Sequence, residues 1–173
     1  QSRNVVARLR GSKYPDEAIV YSAHWDHLGI GKADETADSI YNGAFDNASG
    51  TASLIELARA FKSLKVQPER TVIMLAVTAE EQGLWGSAYY AQNPVYPADK
   101  TVANINIDGL NPFESTRDII TVGQGQSELE DYLKTEAEKA RRILAFERHP
   151  EAGYYYRSDH FNFAKVGIPA LYT

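Results

Sequence analysis

The stretch TVIMLAVTAEE, residues 71–81, decides how the rest of the sequence is interpreted. Residues 71–77 are mostly apolar or β-branched and contain no glycine or proline, which predicts a buried strand. Two adjacent carboxylates, Glu80 and Glu81, follow this strand. Ligands of open α/β sheets bind just beyond the carboxyl ends of the strands. Because two like charges are costly to desolvate together unless a cation lies between them, the stretch predicts a metal site there.

The composition indicates one globular domain. The chain has 173 residues, of which 43% are hydrophobic and 24% charged, values typical of a domain with a core. A formal charge of −5 disfavours a nucleic-acid partner. No apolar run approaches the roughly 20 residues of a membrane helix, so no membrane partner is expected. The lack of cysteine excludes thiolate ligands and thiol nucleophiles. We expect one domain over residues 1–173, incomplete at both ends, because the sequence begins without methionine and stops within a predicted strand.

Predicted strands alternate with predicted helices along the chain. Strands are expected at residues 4–9, 18–23, 71–77, 101–107, 119–122 and 168–173. Helices are expected at residues 51–64 and 84–92, from a Ser127–Glu130 capping box to about residue 144, and briefly after residue 160. Residues 29–51 form a long polar loop. This order predicts an α/β fold, a three-layer αβα sandwich with a mixed, mainly parallel sheet.

Potential metal ligands follow three of the predicted strands. They are His24, the pair Glu80 and Glu81, and Asp108. Because the carboxyl ends of parallel strands share one edge of a sheet, these side chains should converge, and Asp46 should join them from a loop beside a helix start. Nitrogen and oxygen ligands without sulfur suit zinc, with manganese or cobalt as alternatives.

Each of these residues also has a purely structural interpretation. Asp46 could cap the following helix, Asp108 could belong to an Asp-Gly turn, and residues 80–81 could be solvated at a helix start. Residues 158–160, Ser-Asp-His, could be a helix cap, and a Ser-His-Asp hydrolase lacks its Gly-x-Ser-x-Gly elbow here. The expected convergence of several separate ligands at one edge favours the metal site.

Six motifs together carry a resemblance to a known family. In this order and spacing they resemble the two-zinc, co-catalytic aminopeptidases of metallopeptidase clan MH over nearly the whole chain. The motifs are HWDH at 24–27, GAFDNASG at 43–50, AEEQGL at 79–84, NID at 106–108, SDHFNF at 158–163 and GIPA at 167–170.

The resemblance implies a role for each matching ligand. Asp46 would bridge two zinc ions, His24 and Asp108 would complete the first site, and Glu81 would bind the second ion. Glu80 would be the general base that takes a proton from water and returns it to the leaving amine. The implied activity is removal of N-terminal residues from a peptide substrate.

Further expectations concern the surroundings of the site. Asp26 lies two residues beyond His24 on the same strand face, so it should orient the imidazole. Tyr156 and Asp159 are the candidates for contact with the substrate. The resemblance also implies a secreted or periplasmic protein, and an unpaired sheet edge could support a homodimer.

One departure from the family pattern concerns the second ion. The family places a further histidine ligand beyond the final predicted strand, and no histidine follows His160 in this sequence. His27 and His149 do not match that ligand. We therefore expect the His24/Asp46/Asp108 ion to bind more tightly than the Glu81 ion and peptidase activity to be weak or absent. Two equal, tight sites in a calorimetric zinc titration would contradict this expectation.

Three other functions remain open from the sequence. A glutaminyl-cyclase-like acyltransferase would use one zinc on the same fold, and a non-catalytic binding module would typically have lost ligands. A carboxypeptidase would need a cationic pocket for the substrate carboxylate. The complete ligand set within the matching motifs favours the two-zinc aminopeptidase.

Overall fold

A computed structural model describes residues 1–111 and 113–173 of the chain. Within these residues it has nine strands and four α-helices. The strands are β1 (Val5–Leu9), β2 (Tyr14–His24), β3 (Gly29–Ile30), β4 (Ile40–Tyr41), β5 (Arg70–Val77), β6 (Thr101–Asn106), β7 (Asp118–Thr121), β8 (Ile143–Phe146) and β9 (Ala170–Tyr172). The helices are α1 (Ser49–Ser63), α2 (Trp85–Gln92), α3 (Leu129–Lys139) and α4 (His160–Lys165).

The central sheet aligns the carboxyl ends of its inner strands. Its order is β1-β5-β2-β6-β9, in which only β1 runs antiparallel to its neighbour. His24 at the end of β2 pairs with Val77 at the end of β5, and Ser22 pairs with Asn106 at the end of β6. The mainly parallel sheet predicted from the sequence is therefore confirmed, and the segments that follow these three strands leave from one edge.

Alternate residues of β5 bury opposite faces of the sheet. Ile73, Leu75 and Val77 pack in a cluster with Tyr90 of α2 and Phe163 of α4. Val72 and Met74 face the other way and pack with Leu54, Leu57 and Phe61 of α1. Helices thus cover both faces, which confirms the three-layer arrangement. No helix in the described ranges has the length and apolarity of a membrane span.

The third predicted helix is wrong at both ends. Arg141 adopts a left-handed φ of 58°, which stops the helix, and the apolar residues after it form β8 and pair with β7. The predicted capping box is also wrong, because the Ser127 hydroxyl donates to the carbonyl of Ala170 while the Glu130 carboxylate accepts backbone N–H groups from residues 125 and 126.

The polar loop at 29–51 contains the short hairpin β3–β4, which the sequence reasoning did not predict.

Gly50 lets the first turn of α1 approach the end of β6. A Cβ atom at this buried position would lie 2.5 Å from the carbonyl oxygen of Ile107, the residue next to Asp108. A side chain would therefore push the start of α1 away from the segment that carries Asp108.

We predict that Gly50→Ala destabilises the fold by about 1–3 kcal/mol, because the added methyl group overpacks a rigid backbone contact. This loss should outweigh the roughly 1 kcal/mol that alanine normally gains over glycine in a helix. Urea unfolding is the measurement, with Lys62→Ala on the exposed side of α1 as the control that should change stability by less than about 0.5 kcal/mol. A Gly50→Ala protein as stable as the wild type would contradict the close approach.

Candidate metal centre

Three predicted ligands converge at the carboxyl edge of the sheet. His24 is almost fully buried, and its Nε2 atom lies 3.0 Å from Asp46 Oδ1 and 3.2 Å from Asp108 Oδ1. Zinc bonds of about 2.0–2.1 Å in a tetrahedron place neighbouring ligand atoms roughly 3.3 Å apart. The three side chains therefore have the donor atoms and the spacing that one zinc ion requires.

The orientation of His24 follows from a backbone contact. Its Nδ1 atom is 3.0 Å from the carbonyl oxygen of Asp26, and a carbonyl only accepts, so Nδ1 carries the hydrogen and Nε2 faces the carboxylates. The Asp26 carboxylate does not hydrogen-bond to Nδ1, because β2 ends at His24 and the two residues do not continue one strand face, and its orienting role stays a prediction. The Asp26 carboxylate, 3.8 Å from Nδ1, instead accepts the N–H groups of Glu80 and Glu81 at 3.1 and 3.4 Å.

Asn47 joins the loop of Asp46 to the loop of Asp108. Its buried side chain donates to the carbonyl of Ile107 at 2.9 Å and accepts the N–H groups of Gly50 and Gly109 at 2.9 and 3.2 Å. The helix-capping role considered for Asp46 therefore belongs to the next residue. This leaves the Asp46 carboxylate available as a ligand.

A chain of buried side-chain hydrogen bonds ends on the Asp108 carboxylate and orients it. The Ser158 hydroxyl donates to Asp108 Oδ2 at 2.5 Å and accepts from Asn106 at 2.8 Å. Asn106 accepts from Ser22, which accepts from Asn104. Since every donor points towards Asp108, the chain fixes this carboxylate with one oxygen directed at His24.

A second cluster includes a histidine that the sequence reasoning set aside. His27, Asp46 and Glu81 place one ligand atom each within 4.8 Å of one another. His27 Nδ1 lies 2.7 Å from Glu81 Oε1, yet neither of these buried atoms is in hydrogen-bond geometry with a described residue. Two facing polar atoms without partners fit a missing cation. The HWDH motif contained the signal for His27, but nothing in the spacing paired it with Glu81.

The charges of the site are unbalanced without a metal ion. Burial disfavours a charged His24, but the hydrogen bond and charge of Asp108, with the charge of Glu80, raise the pKa of His24 to about 10. Burial raises the pKa of Glu80 to about 8, against the opposing charge of His24. Burial also acts on Asp108, but hydrogen bonds from His24 and Ser158 hold its pKa below the ordinary range. A proton on His24 thus takes the place that a cation would occupy, and metal binding would displace it.

The two residues expected to contact the substrate differ in their exposure. Asp159 is fully buried, accepts a hydrogen bond from Ser87 at 2.5 Å, and has a pKa raised by burial to about 7. Direct substrate contact is therefore corrected for Asp159, because it lies inside the domain at the start of α4. Tyr156 is largely exposed and packs edge-on against Tyr155 and Phe161, so its contact with substrate stays a prediction.

The mainly parallel sheet carries clusters of histidine and carboxylate side chains at its carboxyl edge, which is the arrangement of a metal-binding α/β domain. The sequence pattern of "Peptidase family M28" matches residues 4–173, and the chain belongs to Peptidase family M28. The family resemblance inferred from the motifs is thereby confirmed.

Individual relatives agree with this assignment. A probable zinc metalloprotease of Pyricularia oryzae is 41% identical over 107 residues, which cover 62% of this chain and 19% of that protein. The aminopeptidase of Aneurinibacillus sp. strain AM-1 superposes with a TM-score of 0.76 at 26% identity, over 98% of this chain and 38% of that one. A Bacteroides thetaiotaomicron glutaminyl cyclase, at 21% identity and a TM-score of 0.71 over 98% of this chain and 62% of that one, shares the fold. The chain spans about a fifth of the length of the curated relatives it matches.

His160 lies behind the metal centre as a buried, neutral side chain. Its ring packs between Tyr155 and Tyr172, with centroids 4.7 and 4.8 Å away, and neither ring nitrogen is in hydrogen-bond geometry with a described residue. Burial lowers the pKa of His160 to about 4, although the charge of Asp108 opposes this shift.

We predict that His160 makes the metal-free protein less stable in weak acid. The unfolded chain gains a proton below an ordinary pKa of about 6.5, whereas the folded chain gains it only near 4, so stability is complete above the first value and is lost as the pH falls towards the second. Between pH 7.5 and 5 this costs about 2 kcal/mol. Other groups that titrate in this range are present in both proteins, so urea unfolding in a chelating buffer should show His160→Phe gaining about this much stability relative to the wild type between pH 7.5 and 5. The exposed control His149→Phe should behave like the wild type, and parallel pH profiles for wild type and His160→Phe would contradict the prediction.

Proposed function

We propose that this domain hydrolyses the peptide bond after the N-terminal residue of a peptide, with two zinc ions and Glu80 as the general base. The observation that carries the proposal is the position of Asp46. Its carboxylate belongs both to the cluster with His24 and Asp108 and to the cluster with His27 and Glu81. A shared carboxylate is how two ions are held about 3.5–4 Å apart in two-metal hydrolases.

Glu80 has the environment of a proton carrier. Zinc, when bound, supplies a water of lowered pKa and polarises the scissile carbonyl. Glu80 takes the proton from that water and donates it to the nitrogen of the leaving peptide. Burial favours its protonated form, which helps the second step, and the N–H contacts from Glu80 and Glu81 to Asp26 keep the turn in place.

The charge around the site favours an N-terminal substrate over a C-terminal one. Within residues 1–111 and 113–173, no lysine or arginine forms a hydrogen bond or an ion pair with the ligands or with Glu80. A carboxypeptidase needs such a cation to hold the substrate carboxylate, whereas carboxylates attract a free α-ammonium group. The carboxylates of the two clusters therefore support the aminopeptidase.

Two further alternatives fit the site less well. A glutaminyl cyclase shares the fold, but the single zinc expected of such an enzyme leaves the His27–Glu81 pair without a role. A non-catalytic binding module would give none of these potential metal ligands a role. Export of the protein and pairing of two copies through a sheet edge are predictions from the sequence alone.

The two zinc ions are expected to bind unequally. The side chains of His24 and Asp108 are 1% and 13% exposed, whereas those of His27 and Glu81 are 21% and 17% exposed. The first site also has the buried hydrogen-bond chain beneath it, and such supporting partners are worth 10–100-fold in metal affinity. We therefore expect slow turnover that depends on occupancy of the weaker site.

We predict that Glu80→Gln lowers kcat by about 10²–10⁴-fold while zinc binding is retained, because it removes the proton carrier and no ligand. Hydrolysis of a fluorogenic aminoacyl amide by the zinc-loaded chain is the measurement, with zinc content determined in parallel. The matched control is Glu35→Gln, an exposed glutamate in the loop between β3 and β4, which should leave the rate unchanged.

Two results would contradict the proposal. One is hydrolysis that continues at the wild-type rate in Glu80→Gln. The other is cyclisation of an N-terminal glutamine peptide faster than hydrolysis of the aminoacyl amide, which would favour the acyltransferase.

A further inference from the structure

The β3–β4 hairpin presents an apolar surface to solvent. Ile30 and Ile40 are partners across its two strands, so their side chains lie on the same face of the hairpin. They are 80% and 58% exposed, and Leu28, just before β3, is 51% exposed. The ring of Tyr41 lies on the other face, where a Cβ atom on Gly31 would come within 2.7 Å of it. Three neighbouring apolar side chains thus remain in contact with water, which favours a ligand that covers them.

The tip of the hairpin is closed by its own hydrogen bonds. The Asp34 carboxylate accepts the N–H groups of Thr36 and Asp38 at 2.8 and 3.1 Å and the Thr36 hydroxyl at 2.7 Å. The N–H group of Gly31 donates to the carbonyl of Ser39 at 2.9 Å. These bonds hold the two strands against each other, so the apolar face exists before a ligand arrives and binding costs little conformational entropy.

Both ends of the hairpin begin at the candidate centre. His27 Nδ1 lies 2.7 Å from the Glu81 carboxylate, and a Cβ atom on Gly43 would lie 2.8 Å from His27 Cβ. Leu28 follows His27 directly, and the Cα atom of Ile30, three peptide units along, is at most about 11 Å from that of His27. The apolar face therefore starts at the rim of the centre and extends over about the length of three residues of an extended peptide.

We infer that the β3–β4 hairpin binds apolar side chains at the second and third residues of the peptide substrate, in the part that leaves after cleavage. This inference rests on the proposed aminopeptidase function. In that reaction the N-terminal residue occupies the centre, where carboxylates attract its α-ammonium group, so it is the following residues that reach the hairpin. Contact of their apolar side chains with Ile30 and Ile40 removes apolar surface from water on both partners.

Replacement of the two isoleucines tests this contact. The substrates are Ala-Leu-Leu-amide and Ala-Ser-Ser-amide, which share the N-terminal residue, and the measurement is the initial rate of alanine release by the zinc-loaded chain. We expect kcat/KM to be about tenfold higher for the leucine peptide in the wild type, because part of each leucine side chain is buried on the hairpin. In the double variant Ile30→Ser, Ile40→Ser this ratio should fall to within about twofold of one, mainly through KM, and each single variant should give an intermediate ratio. The control is Ile55→Ser, which replaces a 55% exposed isoleucine on α1 and should keep the wild-type ratio.

Equilibrium binding separates this inference from the proposed reaction. Fluorescence anisotropy with the same peptides, labelled at their C-termini, measures Kd in Glu80→Gln, in which turnover is suppressed. We expect the leucine peptide to bind about tenfold more tightly, and the preference to disappear when Ile30 and Ile40 are also replaced. An isoleucine-dependent preference in binding, without any hydrolysis by the wild type, would retain the peptide-binding surface and reject the reaction.

Two results would overturn the inference. One is a double variant that keeps the wild-type preference for the leucine peptide, which would leave the proposed reaction in place and remove the role of the hairpin. The other is a concentration-dependent dimer, detected by sedimentation, that the double variant abolishes without any change in peptide preference. The occupant of the apolar face would then be a second copy of this chain.

Discussion

Repulsion between carboxylates at one edge of the sheet is the constraint on which this structure depends. Asp46, Glu80 and Asp108 are brought together around the buried imidazole of His24, and Glu81 lies beside them in the cluster of Asp46 and His27. Without a metal ion, a proton on His24 supplies the balancing charge, and Glu80 is driven towards its protonated form. The fold therefore clusters carboxylates that repel one another, and a divalent cation bound among them would remove this repulsion.

Neutral polar side chains hold these acids in place. Asn47 ties the two ligand loops together, and a relay from Asn104 through Ser22, Asn106 and Ser158 ends on Asp108. Buried polar chains of this kind are costly when incomplete and rigid when complete. Strands β2 and β6 therefore contribute in two ways: their backbones pair in the sheet, and their side chains form the hydrogen-bond chain that orients Asp108.

The sequence predicted the features that depend on local pattern. The apolar run before Glu80 predicts strand β5, and the helical spacing of apolar residues predicts α1. The ligands that follow the inner strands converge because the carboxyl ends of parallel strands share one edge of the sheet. His27 could not be paired with Glu81, because their approach depends on Gly43 and on the path of a long loop. The contacts of Asp26 with the N–H groups of residues 80 and 81 were not predicted, since the end of β2 is set by sheet pairing. The end of α3 was missed because a left-handed Arg141 leaves no compositional signal.

Function enters this structure through geometry more than through composition. The carboxylate of Asp46 belongs to two sets of potential ligands, and this is the observation on which the proposed two-ion centre rests; burial raises the pKa of Glu80 to about 8, which supports its proposed role in proton transfer. In that proposal the more buried set, His24 and Asp108, would hold its ion more tightly than the more exposed set, His27 and Glu81.

Anomalous diffraction at the zinc edge from crystals of the zinc-loaded chain tests the central claim most directly. The proposed two-metal site predicts two peaks about 3.5–4 Å apart, with Asp46 bound to both and with His24 and Asp108 on the more strongly occupied one. Zinc found only at other surface positions, with Asp46 and Asp108 bound to no common ion, would contradict the claim that a shared cation is what gathers these acids.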